Sequence, residues 1–137
     1  MSVNVEALVA KVPTGLLIGS SWRPSSSDEV FDVINPATEE KLAAVSSATS
    51  EDAVAALDAA CAVQQQWAST SPRERAEILR RAYELVIARA DDFATVMTLE
   101  MGKPLAESHG EVVYGAEFLR WFSEEAVRDY GRYHPTP

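Results

Sequence analysis

The apolar positions follow two different periods. Up to about Ser47 they come in short runs broken by Gly, Pro, Ser and Asn. "VEALVAKV" (5–12) reads as a short helical lead closed by Pro13. "GLLIGSSWRP" (15–24) reads as a short strand, a Gly-Ser turn and Trp22 before Pro24, and "SSSDE" follows as a polar loop. β-Branched and aromatic residues at Val30, Phe31, Val33 and Ile34, a turn at Asn35-Pro36-Ala37-Thr38 and a return through Leu42 and Val45 predict a hairpin. Pro36 disfavours helix at Asn35 and lacks the donor that a central strand needs.

After Thr49 the period lengthens to about 3.6. Thr49 stands three residues before Asp52, a capping-box-like start, and Ala53, Ala56, Leu57, Ala60, Val63 and Trp67 then recur at helical spacing. Ser71-Pro72-Arg73-Glu74 is the clearest local signal. Ser71 can cap first-turn amides, Pro72 sits where its missing N–H would have been unpaired anyway, and Glu74 can reach back to the cap. The helix that follows has a buried stripe through Ala76, Leu79, Ala82, Tyr83, Val86 and Ala90. Asp91-Asp92 restarts a helix with Phe93, Val96 and Met97 inward, stopped at Gly102 with Pro104 just beyond. A last helix is expected from about Leu105 to Val127, with Ala106, Gly110, Val113, Tyr114, Phe118, Trp121 and Phe122 on one side. Gly131 and Pro135-Thr136-Pro137 are turn chemistry. The expected class is α+β: an N-terminal β-hairpin region followed by about four helices.

Composition narrows the function classes. The chain has 137 residues, one domain's worth, with 12 basic against 21 acidic residues and a net charge of −9. That balance disfavours nucleic acid, which needs a basic patch, and anionic membrane surfaces. One cysteine, Cys61, permits no internal disulfide and fits a reducing compartment. Glu6 precedes the first apolar run, so no signal peptide is read, and no stretch is long enough to span a membrane. The expected setting is cytoplasmic.

The candidate reactive groups each have a plainer reading. "TLEMGKPLAE" (98–107) contains a Gly-Lys pair, but a phosphate loop needs a glycine-rich run before the lysine and a Ser or Thr after it. Here Glu100 and Met101 precede and Pro104 follows, so a helix stop with a surface lysine, Lys103, is the better reading. Cys61 lies mid-helix among alanines with no histidine nearby, which favours a buried structural thiol over a nucleophile. His109 and His134 show no metal-ligand spacing and read as solvated. Asp91-Asp92 and Glu124-Glu125 read as solvated ends and caps. Tyr114, Phe118, Trp121 and Phe122 make a dense aromatic side that is more often core, the alternative being that part of it lines a pocket. From the residues alone, no catalytic constellation emerges.

The order of elements nevertheless resembles one family. "LLIGSSWRP", "FDVINPATEEKLAAV", the Trp67-terminated alanine helix and "SPRERAEILRRAYELVIARADDFATVMTLEMGKPLAESHGEVVYGAEFLRWFSEEAVRDYG" together resemble the N-terminal part of the NAD(P)-dependent aldehyde dehydrogenases. The resemblance runs from about Gly15 to the end and is greatest to succinate-semialdehyde dehydrogenases. It implies an α/β fold in the whole family protein, with residues 1–14 as a lead and 15–137 as an incomplete N-terminal part of the nucleotide-binding domain. It implies NAD or NADP as cofactor of the full-length enzyme, with none expected for this chain alone. The implied partners are the remainder of the enzyme and further copies in a homo-oligomer.

The implied reaction adds a cysteine thiolate to an aldehyde, holds the alkoxide in an oxyanion hole while hydride leaves to the nicotinamide, and releases the acid with water. The family's catalytic cysteine, general-base glutamate and cofactor-binding lysine have no counterpart here, and Cys61 matches no catalytic motif. No catalytic or cofactor-binding residue is therefore expected in this chain. By the same resemblance, the backbone carbonyls of Ile34 and Glu100 match two contacts to a monovalent cation, and part of the last helix lies near the substrate entrance, with Tyr114 and Phe118 as the candidate residues. A non-enzymatic helical interaction module, or a truncated product, is the alternative.

Overall fold

The structure, a computed structural model, describes residues 4–128 and Gly131. The chain runs through α1 (Val5–Val9), β1 (Leu16–Ile18), β2 (Ser21–Arg23), β3 (Val30–Ile34) and β4 (Lys41–Ser46). The helices α2 (Ser50–Ser69), α3 (Pro72–Ala88), α4 (Ala90–Met101) and α5 (Leu105–Glu125) follow. This is the α+β order read from the sequence, with a second hairpin that reading did not separate. β1 and β2 pair antiparallel, Leu16 opposite Arg23 and Ile18 opposite Ser21. Gly19 and Ser20 join them with φ of 57° and 73°, the left-handed pair that a two-residue hairpin turn requires. β3 and β4 form the other antiparallel pair, with Val30 opposite Ser46 and an irregularity between Val33 and Ile34. In its turn, Ala37 N donates to Asn35 Oδ1 (2.9 Å) and Glu39 N to the Asn35 carbonyl (2.8 Å), so the Asn-Pro turn fixes the register.

The helix starts are built as their sequences specify. At α2, Asp52 N donates to Thr49 Oγ1 (3.2 Å) and Thr49 N to Asp52 Oδ2 (3.0 Å). At α3, Glu74 N donates to Ser71 Oγ (3.2 Å) and Ser71 N to Glu74 Oε2 (3.1 Å). Both are complete capping boxes. α3 and α4 are joined by the single residue Arg89, whose guanidinium lies 5.5 Å from the Phe93 ring centre. α4 ends at Gly102, with φ 73°, as expected. α5 ends at Glu125 rather than Val127, where Ala126 N returns to the Phe122 carbonyl.

The core is small and lies between α3, α4 and α5. Ala90, Ala94 and Val112 are buried there, with Val86 and Met97 packed against them. The α3 stripe through Ala76, Leu79, Ala82, Tyr83 and Val86 faces this core, as its spacing predicts. Three other stripes do not behave wholly as read. On α4, Val96 and Met97 are half-buried but Phe93 is exposed, and Ala90 and Ala94 take the buried side instead. On α5 the buried side is Ser108, Val112, Ala116 and Ser123, whereas Tyr114, Phe118, Trp121 and Phe122 are exposed. On α2, Ala53, Ala56, Leu57, Ala60, Val63 and Trp67 are all exposed, and only Asp52, Ala55 and Ala59 are drawn toward the hairpins before the helix reaches Thr70. The physical reason is general. Helical periodicity marks a face that avoids water, but burial needs something to lie over it. Small residues let α5 approach α3 and α4 closely, and that leaves its aromatic side outward.

Candidate functional site: an aromatic face and a helix corner

Two places could carry function. The first is the outer face of α5. Tyr114 and Phe118, one turn apart, meet edge to face with ring centres 5.2 Å apart and planes at 87°. With Glu117, Trp121 and Phe122 they line a shallow open depression. Tyr114 is 68% exposed and Trp121 59%, so these rings are surface, not core. The one carboxylate there, Glu117, is bound by Arg120 Nε at 2.8 Å, and that pairing raises the guanidinium's proton affinity further. The depression therefore offers rings and a neutralised ion pair. It can take an apolar group and supplies neither nucleophile nor base.

The second place is the corner between α4 and α5. A Cβ on Gly102 would lie 2.9 Å from Pro36 Cγ, so the β3–β4 turn is pressed against this corner and only glycine fits there. Two side-chain pairs tighten the corner: Thr98 Oγ1 and Ser108 Oγ are 2.9 Å apart, and Lys103 Nζ is bonded to Glu111 Oε1. The Lys103 side chain is only 18% exposed, which corrects its reading as a surface lysine; the salt bridge folds it back along α5. The Glu100 carbonyl belongs to the last turn of α4, where the donor four residues on would be residue 104. That residue is Pro104, which has no N–H. The Glu100 carbonyl therefore lacks the ordinary helical donor, and Pro36 of the turn after Ile34 packs against Gly102, two residues on.

The remaining candidates do not assemble into a site. Cys61 is exposed, not buried, because its helix is covered on one flank only. His109 is exposed, with Nε2 3.7 Å from Asp91 Oδ1 across the α4–α5 pair. Asp92 meets Arg89 at 3.5 Å, Glu124 meets Arg120 at 3.6 Å and Glu125 meets Arg128 at 2.8 Å, all surface pairs. His134 and Pro135–Pro137 lie outside the described residues. Among the described residues, no three His, Cys, Asp or Glu side chains come together as metal ligands, and no helix is long and apolar enough to cross a membrane.

One polar cluster escaped the sequence reading. Asp52 is 2% exposed and accepts from Thr49 N (3.0 Å), Ser26 N (3.1 Å), Ser25 Oγ (3.1 Å) and Arg23 Nη2 (3.0 Å). The backbone N–H groups of Thr49 and Ser26 hold its carboxyl well below the usual carboxylate range. This carboxylate joins α2 to the loop after β2, so its role is positional. Thr49-x-x-Asp52 signalled the cap, but nothing local signalled that the chain from Arg23 to Ser26 would return to it.

Comparison with known proteins places the chain in a family. Residues 22–137 match the sequence model of the aldehyde dehydrogenase family. The chain belongs to the aldehyde dehydrogenase family. It is 76% identical over 96 residues to the succinate-semialdehyde dehydrogenase of Paenarthrobacter nicotinovorans, covering 70% of this chain and 21% of that protein. It is 44% identical over 115 residues to the NADP(+) succinate-semialdehyde dehydrogenase of Escherichia coli K12, covering 84% of this chain and 24% of that one. Among solved structures, the betaine aldehyde dehydrogenase of Staphylococcus aureus in complex with NAD+ superimposes with a TM-score of 0.91 at 26% identity, over 98% of this chain and 27% of its own. This aldehyde dehydrogenase chain thus spans about a quarter of the length of such relatives. Their family is one of NAD(P)-dependent oxidoreductases, and the mixed helix-and-hairpin architecture here is a quarter of that fold.

Proposed function

We propose that the chain is the N-terminal portion of an enzyme that oxidises succinate semialdehyde to succinate with NAD or NADP, and that it serves there as scaffold. The observation that carries the reading is the 76% identity over 96 residues to a succinate-semialdehyde dehydrogenase. In this reading residues 15–137 belong to the nucleotide-binding domain, the remainder of the enzyme and further copies of it are the partners, and the cytoplasm is the setting.

Within the whole enzyme we assign Tyr114 and Phe118 to the lip of the substrate entrance, where their edge-to-face pair would guide the aldehyde's carbon chain. The carbonyls of Ile34 and Glu100 would contribute to a monovalent-cation site at the corner that Pro36 and Gly102 close. An exposed aromatic face without reacting groups also favours a second reading, a non-enzymatic interaction module; reading the coding sequence past Pro137 separates the two.

The direct test of the function replaces the matching segment of the Paenarthrobacter enzyme with this chain. The chimera is expected to form NAD(P)H from succinate semialdehyde, and Phe118→Ala within it to raise KM more than it lowers kcat. A folded chimera that oxidises other aldehydes and ignores succinate semialdehyde would overturn the substrate assignment.

A further inference from the structure

The N-terminal lead and the first turns of α4 enclose a groove that the proposed function does not use. α1 lies on α4, started by an Asn4 cap (Ala7 N to Asn4 Oδ1, 3.1 Å) and held by the buried Leu8. Leu8, Val12, Pro13, Phe93 and Val96 form the apolar floor and walls of a groove of about 340 Å³. That volume falls within the range of small-ligand sites, about 300–1,000 Å³. The rim carries Lys11, Arg89 and Asp92. Arg89 meets Asp92 only at 3.5 Å, longer than the roughly 2.7–2.9 Å of a tight charge-assisted bond. The same guanidinium lies over the Phe93 ring, which keeps it at the groove's edge. Lys11 has no carboxylate partner among the described residues. In a chain of net charge −9 this rim therefore holds a surplus positive charge. The depression on α5 is lined by Glu117, and the one along the start of α2 by Glu51 and Asp58, each without a lining cation.

We infer that this groove binds an aliphatic monocarboxylate. The alkyl chain lies along Leu8, Val12 and Phe93, and the carboxylate sits between the Lys11 ammonium and the Arg89 guanidinium. The fork of N–H donors on an arginine matches the two oxygens of a carboxylate, and a single negative charge balances the surplus on the rim. Inorganic phosphate has no apolar part, so it would leave the floor in water and set its greater charge against Asp92. A cationic amphiphile would meet two like charges. Leu8, Lys11, Val12 and Pro13 precede the residues 22–137 that match the family's sequence model, so the inference stands apart from the enzymatic reading above.

Octanoate is the probe, titrated below its micellar concentration into the isotope-labelled 137-residue chain and followed by amide chemical shifts. Saturable shifts are expected in residues 8–12 and 89–96. Butanoate is expected to bind about fourfold more weakly for each methylene that the floor no longer buries. Octylammonium, with a like chain and the opposite charge, is expected to bind at least about tenfold more weakly than octanoate, and Lys11→Gln with Arg89→Gln to weaken octanoate to a similar degree with the helical circular dichroism kept. Shifts confined to other surfaces such as the α5 rings, octylammonium binding as well as octanoate, or undiminished binding by the helical double variant each overturns the assignment. If the double variant loses helicity at the α3–α4 junction, Lys11→Gln alone decides: weaker octanoate binding upholds the site and unchanged binding overturns it. The chimera's turnover of succinate semialdehyde is a separate readout, and its failure leaves the groove standing.

Discussion

Single residues hold this chain at two points, and each makes a prediction. Gly102 has a left-handed backbone and no room for a methyl group against Pro36. Gly102→Ala is expected to cost at least about 1–2 kcal/mol, from the backbone alone, in a urea titration. The second point is Asp52. Its carboxyl is held low by N–H donors, so the folded chain keeps it charged where the unfolded chain, with an ordinary value of about 3.9, has bound a proton. Its contribution is therefore complete above about pH 4 and is lost as pH falls toward the folded value. Asp52→Asn should lower stability at neutral pH and flatten its fall below about pH 4, as read by unfolding curves across that range. The glycine was legible in the sequence as a helix stop, because the left-handed residue and the following Pro104 are local features. The Asp52 network was not, because Arg23 and Ser25 reach it from 29 and 27 residues away. A capping pattern says which amides a side chain can satisfy, not what else will find it.

At the scale of elements, the chain's helices differ in what supports them. α3, α4 and α5 support one another around Ala90, Ala94 and Val112. α2 is 20 residues long, and after Ala59 each of its residues is exposed. A helix so placed depends on its cap more than a packed helix does, because tertiary packing supplies most of a helix's stability in a protein and the second half of α2 has none. Thr49→Ala removes the hydroxyl that accepts from Asp52 N and is expected to cost about 1 kcal/mol. Hydrogen exchange should show the loss as faster exchange along α2 with little change in α4, and uniform acceleration through both helices would contradict this. Element positions were largely legible here: the two capping boxes, the Asn-Pro turn and the Gly102 stop are short-range chemistry. What covers a stripe was not legible. The α3 stripe faces a core while the equally regular α2 stripe faces outward, and nothing in the spacing distinguishes them.

For the whole molecule, the function proposed above divides the labour: these 137 residues supply shape, and the reacting groups lie elsewhere in the enzyme. The aromatic face, the closed corner and the buried Asp52 tie all position backbone or present apolar surface. The exposed Cys61 stands on α2, a helix covered along one flank only, with no base beside it in sequence. The family could be read from ordered motifs such as "INPATEE" and "TLEMGKPLAE", whereas the outward turn of the α5 rings needed three dimensions, since it depends on which face of that helix is small enough to pack. The most direct measurement assays the purified chain alone for NAD(P)H formation from succinate semialdehyde, beside a whole relative as the positive control. The account predicts turnover by the relative and none by the chain; turnover by the chain itself would contradict it.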